Sequence, residues 1–103
     1  MTEEDPDGTS THLSLRLYVA GSSPNSLQAR SNLRAALEAA LQTDVKLEVV
    51  DVLLHPERGL EDSILVTPTL IRLAPAPQQR VIGNLHDRSA LLAGLGIDEA
   101  RRE

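Results

Sequence analysis

Val66-Thr67-Pro68-Thr69-Leu70 is the stretch whose reading decides the fold. Pro68 lacks an N–H and has a fixed φ, and it pushes Thr67 towards extended backbone. A strand is therefore expected to start just after it and run over Thr69–Ala74. Pro75-Ala76-Pro77 then makes a loop, and Gln79–Ile82 returns as a short strand. The connection has hairpin length, and its two prolines keep the tip from extending the ladder. Gly83 ends the returning strand. Asp87 is placed to cap a last helix over Arg88–Leu95, with Leu85, Leu91, Leu92 and Leu95 for docking and Gly94 and Gly96 to end it.

Upstream of Pro68, His55-Pro56-Glu57 opens a segment in which Pro56 suits a first helical turn. Gly59 weakens it, so residues 57–64 are expected to form a short or irregular helix. Residues 45–52 read as a strand: Val45, Leu47 and Val49 alternate with Lys46 and Glu48. Val50, Val52, Leu53 and Leu54 make its end apolar on both faces, the pattern of an inner strand. Asp51 interrupts that run, either as a strand-end carboxylate facing water or as a cap for the next segment. Residues 25–42 form the longest helix, with Ala29, Leu33, Ala36, Leu37, Ala40 and Leu41 as its apolar stripe. Gln28, Ser31, Asn32, Glu38 and Gln42 fall on the opposite face. Arg30 and Arg34 fall at the edge of the stripe, where arginine stems lie along apolar surface with their heads in water. Before that helix, residues 13–20 alternate: Leu13, Leu15, Leu17 and Val19 against Ser14, Arg16 and Tyr18. Gly21-Ser22-Ser23-Pro24 ends the strand, with Ser23 as N-cap and Pro24 at the first helical position.

The order is β-α-β-α-β-β-α. Strand–helix–strand gives a right-handed parallel unit, and the later hairpin adds an antiparallel pair. The expected class is α/β, a thioredoxin-like mixed four-stranded sheet with helices on both faces. In that arrangement the proline at the entry to the third strand is cis, which predicts a cis Thr67-Pro68 bond. One domain is expected over residues 12–97. Residues 1–11 are polar and acidic and are expected to be a disordered tail, and residues 98–103 a charged one.

Composition narrows the chemistry. With no Phe, no Trp and one tyrosine, Tyr18, the core must be branched aliphatic. The formal charge is −5, and Glu3, Glu4, Asp5 and Asp7 carry much of it. Between His12 and Ile97, eight Lys/Arg balance eight Asp/Glu. A nucleic-acid binder needs a basic face and stacking platforms, and both are missing. No apolar run has the length of a membrane span, and the acidic start is unlike a signal peptide's basic one. A soluble cytoplasmic protein is expected.

The chain has no cysteine, which excludes disulfides, thiolate catalysis and thiolate metal ligands. Ser23-Pro24-Asn25-Ser26 occupies the place where a glutaredoxin-like fold carries Cys-x-x-Cys. A serine hydroxyl keeps its proton near neutral pH and forms no disulfide, so Ser23 and Ser26 read as helix-capping residues. His12, His55 and His86 are too dispersed for a metal site. Asp51 and Glu57 flank His55 without a partner nucleophile, and the glycines form no phosphate loop. Neither a catalytic residue, a metal nor a cofactor is expected, and the chain reads as non-enzymatic.

Four blocks of this sequence resemble the KaiB family of circadian-clock proteins. They are Leu15-Arg16-Leu17-Tyr18-Val19-Ala20-Gly21 with Ser23-Pro24-Asn25-Ser26, then Val49-Val50-Asp51-Val52-Leu53 with His55-Pro56. The third is Asp62-Ser63-Ile64-Leu65-Val66-Thr67-Pro68-Thr69-Leu70, and the fourth Val81-Ile82-Gly83-Asn84-Leu85 with Asp87-Arg88 and Leu95. They keep the family's order and spacing over residues 13–97. The resemblance implies a non-catalytic protein that binds a KaiC-type ATPase, sequesters KaiA and influences output histidine kinases. It also implies metamorphism: a tetrameric free form rearranges the C-terminal half, and the partner-bound form is thioredoxin-like. The docking surface is then expected around Leu53, Leu54, His55, Glu57 and Arg58, with Arg30 and Arg34 of the first helix as further candidates. A dimer or tetramer is a further expectation. Leu54 and Gln28 depart from the basic residues common at these places, and Gly96-Ile97-Asp98-Glu99 lacks an aromatic-containing end. The alternative reading is a thioredoxin-fold module that binds a sensor histidine kinase or another signalling protein. A serine-substituted redox enzyme is a third, which the missing thiols oppose.

Overall fold

The computed structural model describes residues 13–40 and 44–97. The expected tails, His12, Leu41 and Gln42 lie outside the described residues.

Four strands form one sheet in the order β2-β1-β3-β4. They are β1 (Leu13–Val19), β2 (Val45–Asp51), β3 (Thr69–Ala74) and β4 (Gln79–Ile82). β1 pairs in parallel with β2 and antiparallel with β3, and β3 pairs antiparallel with β4. The helices are α1 (Pro24–Ala39), α2 (Pro56–Glu61) and α3 (Arg88–Leu95). This is the expected mixed sheet, and β3, β4 and α3 keep the bounds that their prolines, Gly83 and Asp87 predict.

Three expectations are corrected. α1 stops at Ala39, with Ala40 as its C-cap, rather than running on to residue 42. α2 stops at Glu61 rather than at residue 64. Its end is a Schellman closure: Ser63, at φ 56, is left-handed, and the N–H groups of Ile64 and Ser63 donate to the carbonyls of Gly59 and Leu60. Most important, β2 is an edge strand and not an inner one. Leu47 and Val49 are 43% and 37% exposed. Val52, Leu53 and Leu54, read as the strand's apolar end, form a turn instead. The Asp51 carbonyl accepts from the N–H groups of Leu54 and His55 and folds the chain away from the sheet.

The alternation in β1 separates two cores. Leu13, Leu15, Leu17 and Val19, with Leu70, are buried under Ala29, Leu33 and Ala36 of α1 and Leu91, Leu92 and Leu95 of α3. Tyr18, Val50 and Ile71 form a smaller cluster on the other face, joined by Val52, Ile64 and Leu73. α2 lies on that face. Gly59 permits the approach, because a Cβ there would sit 3.3 Å from Val52 Cγ1. The Thr67-Pro68 bond is cis as expected, and so are Ala74-Pro75 and Ala76-Pro77.

Candidate docking surface

The N-terminal end of α1 sets one side of the surface. Ser23 is its N-cap, accepting from the Ser26 N–H at 3.3 Å, and Pro24 occupies the first turn. The Ser23 hydroxyl donates to Ser26 Oγ at 2.8 Å, and Ser26 Oγ in turn accepts from the Ala20 N–H at 3.0 Å. Ser26 is fully buried. Ser23 therefore caps as expected, whereas Ser26 ties the helix to the end of β1. Asn25 is exposed beside them.

Asp51 joins this loop to the turn after β2. Its Oδ1 accepts from the Gly21 N–H at 3.0 Å and from the Leu53 N–H at 2.9 Å. Of the two roles read for it, capping is the one present. Gly21 is left-handed at φ +57, and a Cβ there would lie 3.2 Å from Leu53 Cδ1. The turn holds Leu53 and Leu54 out at 69% and 71% exposure. His55 is the N-cap of α2 without a side-chain capping bond, and its Nδ1 lies 3.7 Å from Glu57 Oε2, an ion pair when the imidazole is protonated.

Two grooves flank these elements; of the candidate residues, Arg30 and Arg34 line one of them, and Leu53, Leu54, His55, Glu57 and Arg58 line neither. One, of about 420 Å³, runs between α2 and the segment leading to Pro68, lined by Val52, Pro56, Gly59, Leu60, Ile64, Leu65, Val66 and Thr67. Leu60, Leu65 and Val66 around it are exposed. The other, of about 280 Å³, runs between α1 and β2. Arg30 and Arg34 line it with Leu37, Glu38, Val45, Leu47 and Val49. Arg30 and Arg34 lie on the α1 side of the sheet and residues 53–58 lead into α2 on the other, so the two sets are not brought together. Two residues placed on the solvent face of α1 are in fact contacts: Asn32 Nδ2 donates to the Asn84 carbonyl and Gln28 Oε1 accepts from Asn84 Nδ2. They fix the loop after Gly83, itself left-handed at φ 109.

Arg58 turns towards the sheet. Its Nη2 donates to Glu48 Oε2 at 2.9 Å, and Arg16 Nε donates to Glu48 Oε1 at 2.8 Å. Arg16 Nη1 also reaches Asp62 Oδ2 at 3.0 Å. The Tyr18 hydroxyl, 2.6 Å from Asp62 Oδ2 and 3.0 Å from the Arg58 carbonyl, adds a neutral donor to the carboxylate. These bonds hold the Asp62 carboxyl below its usual range, Tyr18 most strongly and Arg16 next, against an opposing push from burial. Hydrogen bonds from Arg16 and then Arg58 lower Glu48 likewise. Arg80 Nη2 donates to the Asp62 carbonyl. Sequence reading missed this network because its members lie up to 46 residues apart. The only local signal is that Arg16 and Tyr18 share a face of β1.

Among the described residues no group of three His, Asp or Glu could hold a metal ion, and no helix is long and apolar enough to cross a membrane.

The KaiB domain model matches residues 16–97. The chain belongs to the KaiB family. Curated relatives named circadian clock oscillator protein KaiB include those of Prochlorococcus marinus, 47% identical over 81% of this chain and 78% of the relative. That of Synechococcus elongatus is also 47% identical, over 81% of each chain. Among solved structures, the N-terminal domain of Synechococcus elongatus SasA superposes with a TM-score of 0.71 at 25% identity, covering 96% of this chain and 97% of that one. Yeast mitochondrial thioredoxin 3 superposes with a TM-score of 0.65 at 19% identity over 82% and 76%. The fold of this KaiB-family chain is thus the thioredoxin-like one.

Proposed function

We propose that this KaiB-family chain is a non-catalytic docking protein whose partner is a KaiC-type ATPase, in a circadian or stress-timing system. The observation that carries this is the apolar ridge of Leu53 and Leu54, 69% and 71% exposed and held out by the Asp51 and Gly21 contacts. Capping bonds that present leucines to water do nothing for the core, and grouped exposed apolar side chains mark interaction sites. Leu53, Leu54, His55 and Glu57 meet the partner directly, and Arg58 holds α2 in place through Glu48. Arg30 and Arg34 give the groove between α1 and β2 its cationic edge, which suits an acidic segment of a further partner. The deciding experiment is co-purification of the full chain with its cognate KaiC-type ATPase, in both nucleotide states. Binding in either state supports the reading, and absence of binding in both refutes it.

The likeness to the SasA N-terminal domain, over nearly the whole of both chains, favours a second reading. In it the chain is an interaction module for a sensor histidine kinase or another signalling protein. Capture of such a kinase, with no KaiC-type ATPase, from the native extract distinguishes it. The resemblance-based expectation of a second, tetrameric arrangement of the C-terminal half is tested by NMR of the free chain. Shifts that stay thioredoxin-like with time and dilution refute it.

A further inference from the structure

The basic side chains of the fold are used unequally. Arg16 and Arg58 bond to Glu48, Arg16 also to Asp62, and Arg80 to the backbone of Asp62 and Ser63. Arg72 is buried on β3. Lys46 is exposed on β2 but alternates onto the face away from Val45, Leu47 and Val49, and Arg88 is exposed on α3. Arg30 and Arg34 differ from all of these. They are exposed, one helical turn apart, and line the same groove between α1 and β2. Neither makes an ion pair among the described residues. Like charges at that spacing disfavour a helix. Glu38 is the acidic side chain in the lining, so two cations against one carboxylate leave a positive excess above the apolar floor of Val45, Leu47 and Val49.

The chain enters the sheet at one end of this groove. Leu13 is in register with Val45, and the floor from Val45 to Val49 is about 13 Å long. Upstream of Leu13 the sequence carries Glu3, Glu4, Asp5 and Asp7. Extended chain reaches from Leu13 about 20 Å to Asp7 and about 35 Å to Glu3, enough to turn back along the whole floor. Gly8 lies between the acidic run and Leu13, and a glycine reverses the chain without steric cost. We propose that this acidic run occupies the groove of its own chain, with its carboxylates on the Arg30 and Arg34 guanidiniums. The short tether holds the run at an effective concentration on the order of millimolar, so contacts too weak to join separate molecules form within one. The occupant covers Leu47 and Val49, and an acidic partner segment that uses Arg30 and Arg34 has to displace it. The backbone of β2 takes no part. The ridge at Leu53 and Leu54 stays open on the other side of the sheet, so the inference does not depend on the identity of the ATPase.

The test compares the full chain with a variant carrying Glu3→Gln, Glu4→Gln, Asp5→Asn and Asp7→Asn together, which removes the charge and keeps the length. Amide spectra of the two at low salt should differ at Arg30, Arg34, Leu47 and Val49. The difference should vanish near 1 M salt, where the screening length falls to about 3 Å. It should survive an about tenfold dilution, because the occupant is tethered. A synthetic peptide of residues 1–11, added to the neutralised variant, should move the same amides with a dissociation constant on the order of millimolar, and should bind the natural chain at least about threefold more weakly. Arg30→Glu with Arg34→Glu should abolish both effects. If that pair alters the circular dichroism, Arg30→Gln with Arg34→Gln replaces it. Coincident low-salt spectra overturn the proposal, as do differences gathered at Lys46, at Arg88 or on α2. Loss of the difference on dilution, or equal affinity of the peptide for both chains, overturns it too.

Discussion

The Tyr18 hydroxyl meets the Asp62 carboxylate at 2.6 Å across 44 residues of sequence, joining the central strand to the C-cap of α2. That bond explains how the thinner side of the sheet is held. Among the described residues a short helix, α2, is what covers it, and ionic and hydrogen-bonded groups complete the attachment. Tyr18→Phe keeps the ring and removes the donor. It should cost about 1–1.5 kcal/mol in urea unfolding, and Asp62→Ala about 1–3 because it also leaves Arg16 and a buried hydroxyl short of an acceptor. The double variant should lose less than the sum. Strict additivity would show that the two groups are not coupled.

The same network sets a pH dependence. Asp62 and Glu48 are lowered in the folded chain from ordinary values of 3.8 and 4.5. The unfolded chain therefore binds protons first as pH falls, and stability rises with pH through this range. The contribution should be complete above about pH 5 and lost as pH descends through the lowered values. Asp62→Asn should flatten the acid limb of the stability profile. On the alkaline side, burial and the bond to Asp62 raise Tyr18, so its contribution persists below pH 10 and fades above it. Urea midpoints from pH 3 to 8 read the acid limb directly.

Ser26→Ala should destabilise the chain by about 1–2 kcal/mol, since it removes the acceptor of the Ala20 N–H and the partner of Ser23 inside a buried site. Ser23→Ala loses one N-cap and should cost about 1 kcal/mol. Thermal unfolding of the three variants, the double included, checks the order. Equal costs for the two single variants would mean that Ser26 acts as a cap and nothing more.

Gly96 ends α3 left-handed at φ 81, and a Cβ there would run into the Arg72 guanidinium. Arg72 is buried on β3 and donates through Nη2 to the Pro77 carbonyl at 2.6 Å. Gly96→Ala therefore combines backbone strain of about 1–2 kcal/mol with displacement of a buried cation. It should lower the melting temperature by more than about 4 °C. Gly83→Ala, left-handed at φ 109 but with open space at its Cβ position, tests strain alone and should cost less.

How much of this could be read beforehand depends on how local the cause is. The alternation at Leu13–Val19, the Ser23-Pro24 start and the Asp87 cap are set by neighbouring residues, and the structure keeps them. The cis bond at Pro68 came from the fold and not from local chemistry, and the two further cis prolines had no local signal. The edge position of β2 was misread for a physical reason. Val50, Val52, Leu53 and Leu54 look like one buried run, but Asp51 breaks the strand and turns the last two leucines outward. Pairing partners are a global property: β1 becomes central only because β3 returns along its other side. Residues 53–58 are neighbours in sequence and so stay together, whereas their separation from Arg30 and Arg34 was not legible, since α1 and α2 lie on opposite faces of the sheet.

The ridge at Leu53 and Leu54 gives the sharpest functional prediction. Leu54 is 71% exposed, so replacing it should change stability by no more than about 0.5 kcal/mol. Leu53 packs near Gly21, so its replacement confounds folding with docking, and Leu54 is the cleaner probe. Leu54→Asp puts a charge where the proposed interface must be dry. It should weaken binding to the KaiC-type ATPase at least about tenfold, as expected of a central apolar contact. Arg30→Ala and Arg34→Ala sit in the groove between α1 and β2 and should leave that affinity within about twofold at physiological salt, where separated surface charges are screened. Calorimetry with the three variants, each checked for an unchanged urea midpoint, separates the ridge from the groove. Unaltered affinity for Leu54→Asp would move the contact away from the ridge. A large loss for the arginine variants would place it between α1 and β2.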